Sequence, residues 1–98
     1  MRDSATLLSA VTSTGAGTAK TVERAEHFTA VIESTNVTAG ATIAIQALTF
    51  SGNWVSIDSR GITANGNTVI QWSGAFKSIR ANVTAYTDGT YTVTLDSR

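Results

Sequence analysis

Across residues 78–95 apolar and polar side chains alternate with a period of two. Ile79, Ala81, Val83 and Ala85 interleave with Ser78, Arg80, Asn82, Thr84 and Tyr86; Tyr91, Val93 and Leu95 interleave with Thr90, Thr92 and Thr94. A helix would scatter such a stripe around its axis, whereas a pleated strand gathers it on one face. Thr87-Asp88-Gly89 between the two runs has turn composition, so the pair reads as a hairpin with one apolar and one polar face. An apolar sheet face must be covered, which predicts a second sheet.

The same period recurs upstream. Phe28, Ala30 and Ile32 alternate with Thr29, Val31 and Glu33. Residues 41–59 form two strand-like runs around Ser51, Gly52 and Asn53, a second hairpin. Its expected inner face is Ile43, Ile45, Val55 and Ile57, packed on Ile79, Val83, Val93 and Leu95; the face of Trp54 is left open. Asn65-Gly66 suits a tight primed turn, and a short strand follows over residues 68–72. Seven or eight short strands with turns every ~8 to 12 residues predict an all-β, antiparallel β-sandwich of jelly-roll type, with a small barrel as the alternative.

Seventeen threonines, no proline and no cysteine fit this reading. Thr packs its methyl on a pleated surface and leaves its hydroxyl in water. The 98 residues suffice for one domain that buries roughly 65% of its unfolded surface. Residues 1–24 read as an N-terminal arm, or a first strand through Thr6, Leu7, Leu8 and Val11 with a flexible Gly15/Gly17 connection; residues 25–98 read as the sandwich. On the arm reading, deleting residues 1–20 leaves the sandwich folded.

Seven basic and seven acidic side chains leave no long-range positive field, which argues against nucleic acid and against a polybasic membrane contact. No apolar run approaches the ~20 residues that span a bilayer. The N-terminus reads poorly as a signal peptide, so a cytoplasmic origin is expected and the sequons at Asn36 and Asn82 carry no weight. His27 is the single histidine, and Glu26 beside it falls on the opposite strand face. The carboxylates Asp3, Glu23, Glu26, Glu33, Asp58, Asp88 and Asp96 are scattered, without the paired spacing of a glycosidase or the loop pattern of a calcium site. Gly15-Ala16-Gly17 is too short for a phosphate loop. No catalytic, cofactor-binding or metal-binding residue is therefore expected, and the chain is predicted not to be an enzyme.

Recognition is left to apolar and aromatic groups. Trp54, Trp72 and Tyr86 are candidate contacts, with Tyr91 assigned to the core, and Leu7, Leu8 and Val11 are candidates if residues 1–24 grip a partner.

Residues 40–95, with AGATIAIQAL, SGNWVSI, FKSIRANVTAY and DGTYTVTL, resemble the small head-decoration or cement proteins of tailed bacteriophages. That resemblance implies a β-rich virion protein made in the host cytoplasm and placed on the capsid surface. Its partner would be the major capsid protein, whose neighbouring subunits it bridges. It further implies a homo-oligomer, a trimer in preference to a dimer. Two other readings share the same features: a carbohydrate-binding or adhesin module that stacks sugars on Trp54, Trp72 or Tyr86, and a tail or baseplate component.

Overall fold

The computed structural model describes residues 3–98. They form nine strands: β1 (Asp3–Val11), β2 (Gly15–Ala16), β3 (Lys20–Thr21), β4 (His27–Thr35), β5 (Ala41–Leu48), β6 (Trp54–Ile62), β7 (Gly66–Ser73), β8 (Ser78–Tyr86) and β9 (Thr90–Ser97). One sheet has the order β1-β9-β4-β7 and the other β2-β8-β5-β6, with β3 also on β8. Every pairing is antiparallel.

If β2 and β3 count as one interrupted strand, the pairs β1·β9, β2/β3·β8, β4·β7 and β5·β6 nest inside one another. That nesting is the jelly roll. Among the described residues β5–β6 alone is a hairpin; the other connections, apart from the short β2–β3 link within one sheet, cross between sheets. β9 buries Tyr91, Val93, Leu95 and Ser97 in strict rotation, and β8 alternates as expected through Val83; beyond it a register shift leaves Ala85 exposed and turns Tyr86 onto the core, the reverse of the expected faces. The hairpin reading of residues 78–95 is corrected: β8 pairs with β5 and β9 with β4, in opposite sheets. At Asn65-Gly66 the turn also carries the chain between sheets, and Asn65 does not adopt positive φ.

Phe28, Ala30, Ile32, Ile70, Tyr91, Val93 and Leu95 from one sheet meet Ile43, Ile45, Ala47, Ile79, Ala81 and Val83 from the other. Buried branched side chains of this kind each contribute roughly 1.5–3 kcal/mol. The expected partner of that face in β6 is only half right, since Ile57 packs on the core while Val55 stays exposed. Register sets Val55 opposite the buried Ala47, so it does face inward, but on an edge strand it stays open to solvent; Ile57 is the extra residue of a bulge, since Ile45 pairs with Asp58 and Gln46 with Ser56.

Residues 3–24 belong to the sandwich. β1 pairs with β9 from Asp3 to Val11, and two register shifts bring both Leu7 and Leu8 into the core. The Gly15/Gly17 run is tied down as well. The Gly17 amide donates to the Ala81 carbonyl at 2.8 Å and the Thr18 amide to the Leu7 carbonyl at 3.1 Å. Small residues are required there because a Cβ on Gly17 would overlap the Leu7 carbonyl and the Leu8 side chain. Residues 1 and 2 of the expected arm lie outside the described residues.

Leu8→Ala therefore lowers the stability of the whole domain, by about 2–5 kcal/mol in urea unfolding. Loss of less than half a kilocalorie would return β1 to the status of a detachable arm.

Candidate functional site

Four crossovers converge at one end of the sandwich, and a single carboxylate ties two of them together. Asp88, in the β8–β9 crossover, accepts hydrogen bonds from the backbone amides of Thr38 (3.1 Å), Ala39 (3.0 Å) and Gly40 (2.9 Å) in the β4–β5 crossover. In return the amides of Thr87 and Asp88 donate to the Gly40 carbonyl at 2.9 and 3.2 Å. The Val37 amide donates to Asn65 Oδ1 at 2.8 Å, joining the β6–β7 crossover to the cluster. Gly40 has φ +104°, and a Cβ there would overlap the Ile62 carbonyl. The bonds from Gly40, Ala39 and Thr38, in that order, hold the Asp88 carboxyl below its usual value of 3.8.

Two tyrosines close the cluster. Tyr91 donates to the Asp88 carbonyl at 2.7 Å and Tyr86 to the Gly89 carbonyl at 2.8 Å, with their rings edge to face at 6.3 Å. Burial, then the Asp88 charge, pushes the Tyr91 phenol above its usual 10.0. This end is bonded inward, and its chemistry is that of a structural clasp.

The recognition candidates are dispersed. Leu7 and Leu8 are buried and present no surface, while Val11 is partly buried against the core. Trp54 lies on the outer face of its sheet with the Arg80 guanidinium 4.0 Å above its ring, and Arg80 Nε donates to Gln46 Oε1 at 2.8 Å. Trp72 stacks on Phe28 at 5.3 Å, and its Nε1 is buried without a hydrogen-bond partner. Tyr86 keeps only partial exposure. The strongly exposed large apolar residues are others: Phe50 (58%), Val69 (54%) and Val55 (40%). Val55 faces inward opposite Ala47, yet on an edge strand it stays open to solvent, and nothing in the sequence singled out Val69.

Beside Trp72 lies an open hollow of about 580 Å³, walled by His27, Thr29, Gln71, Ser73, Asp96 and Arg98. It offers an imidazole, a carboxylate, a guanidinium, an amide and hydroxyls at the surface, a set suited to hydrogen bonding with a polar ligand. Among the described residues no cluster of three or more His, Asp or Glu side chains is placed to hold a metal ion.

No family model and no curated protein matches the chain. Solved structures do. The SPBc2 prophage-derived protein YomS superposes with a TM-score of 0.72 at 20% identity, over 99% of this chain and 92% of that one. A subunit of Bacillus endospore appendages, described as disulfide-linked pili, gives 0.52 at 13% identity over 99% and 86% of the two chains. The Yersinia pseudotuberculosis-derived mitogen gives 0.51 at 17% identity over 99% and 82%. The likeness is one of fold.

Because folding favours the Asp88 carboxylate, its stabilisation is present above 3.8 and is lost as pH falls through the lowered value. Asp88→Asn thus reduces the melting temperature by several degrees at neutral pH, and the gap to the parent narrows in strong acid. A gap independent of pH would show that the charge of Asp88 is immaterial. Gly40→Ala costs about 3 kcal/mol or more in urea unfolding, from positive φ and backbone overlap together. Gly61→Ala, where a Cβ meets nothing within 4 Å, is the neutral control.

Proposed function

We propose that this chain is a structural protein of a bacteriophage virion, a decoration protein that binds the outside of the capsid and stabilises the shell. The carrying observation is the end-to-end fold likeness to a prophage-derived protein, over 99% of this chain and 92% of that one. The proposed partner is the major capsid protein, and the proposed location the capsid surface after synthesis in the host cytoplasm. Physical features support the role. Formal charge is zero, and apolar exposure is confined to isolated groups such as Phe50 and Val55, so single contacts are weak. A repeating lattice multiplies weak contacts through valency. Trp54, Trp72, Tyr86 and Val11 retain partial exposure and join these groups as candidate contacts.

The hollow beside Trp72 favours one second reading, a carbohydrate-binding or adhesin module, because amide, carboxylate and guanidinium groups are the usual partners of sugar hydroxyls. A tail or baseplate component is the remaining version of the virion role.

Heads and tails separated from purified particles distinguish these readings. A decoration protein is recovered with heads, at a fixed ratio to the major capsid protein by quantitative mass spectrometry. Recovery with tails overturns the capsid assignment. Saturable binding on a glycan array, abolished by Gln71→Ala, would establish the sugar-binding reading instead.

A further inference from the structure

The sandwich has four sheet edges, and three are blocked against further pairing. β2 and β3 are two residues each, too short to template a strand. β1 carries two register shifts and a positive φ at Ala10 (48°), which break its outer ladder. β6 carries the Ile45/Gln46 bulge and the Asp58–Arg60 ion pair at 2.9 Å. Shortness, bulges and edge charges are the devices by which proteins prevent edge-to-edge association.

β7 has none of them. It runs for eight residues, GNTVIQWS, without charge or proline. It stays in unbroken register with β4, from His27↔Ser73 to Ser34↔Gly66. β4 takes β7 on one side and β9 on the other, so among the described residues β7 has no partner strand on its far side and alternate residues direct amide and carbonyl groups outward. Val69, at its middle, is 54% exposed.

We propose that two copies of this chain pair antiparallel through β7 about a two-fold axis at Val69, joining two four-stranded sheets into one of eight. The strand is complementary to itself in that register. Val69 meets its own copy, Asn67 meets Gln71 on the outer face, and Thr68 meets Ile70 on the inner face. Trp72 falls opposite Gly66, where a Cβ would meet nothing within 4 Å, so the partner's indole finds room over a glycine. No charged residue lies on the seam. The Glu33 carboxylates, one strand behind Asn67, are carried to opposite ends of it by the antiparallel arrangement. An isologous contact closes at two copies, which favours a dimer over the trimer expected from the resemblance. A single seam buries less than the ~1,200 Å² of a stable interface, so the dimer depends on concentration. The inference does not require capsid binding.

Sedimentation velocity over a dilution series reads the association directly. The parent chain dimerises at high concentration, and Val69→Lys and Val69→Glu each weaken self-association at least tenfold, with a melting temperature equal to the parent's at dilutions where the parent is monomeric. An equimolar mixture of the two variants regains dimer, because opposite charges then meet on the axis. Gln71→Lys, off the axis, also weakens the parent dimer and guards against a peculiarity of position 69. A parent chain monomeric up to millimolar concentration overturns the proposal. So does self-association undiminished in these variants, failure of the mixture to recover, or β7 pairing only with a foreign extended peptide.

Discussion

The fold hangs on the clasp between Asp88 and residues 38–40. In a jelly roll nearly every connection crosses from one sheet to the other, so the sheets are held in alignment by their crossovers as much as by the core between them. A crossover leaves amides with no ladder partner, and buried or half-buried ones are costly unless satisfied. One carboxylate satisfies three of them, and the Gly40 carbonyl takes two amides in return. With no cysteine in the chain, these bonds and the tyrosine pair above them do the work of a covalent tie at that end.

Period-two alternation was enough to read most strands and the face each buries. Phe28, Ala30, Ile32, Ile43, Ile45, Ile79, Val83, Val93 and Leu95 all lie in the core. Connectivity was not legible, for a physical reason. Asp88-Gly89 has the local chemistry of a hairpin turn, but whether β9 folds back on β8 or crosses over depends on which ladder is free, and β4 lies far away in sequence. A bulge is equally silent, since one extra residue leaves composition unchanged: Ile57 is unmatched in β6, and past it Val55 lies opposite the buried Ala47. Adjacent residues of a regular strand face opposite ways, so the sequence left Leu7 and Leu8 between a first strand and an arm; the register shifts in β1 let both face inward.

The likeness to proteins of differing description shows how little this fold says about use. The endospore appendage subunit belongs to disulfide-linked pili, yet the present chain has no cysteine, so that linkage is closed to it. Whatever assembly it enters must rest on strand pairing, packing and polar contacts. Of the candidate surfaces, the Trp54–Arg80 stack contributes about 0.5–1 kcal/mol at an exposed site, too little to define a partner alone. The hollow beside Trp72 is broader and mostly polar. These surfaces are individually weak, which is tolerable in a lattice and poor in a soluble receptor.

Edge protection bears on the same point. An exposed strand edge is a hazard during folding and afterwards, and this chain blocks three of its four by three different means. Leaving β7 regular and uncharged is therefore informative: Val69 is exposed and stands outside the core cluster, so a lysine could be accommodated there. The inner residues of β7 belong to the domain's own core, where Ile70 is buried and Trp72 stacks on Phe28. A partner strand added at this edge would cover them further and shield the ladder between β4 and β7 from water. Association and stability are coupled in that arrangement, so whatever concentrates copies of the chain also stabilises each one.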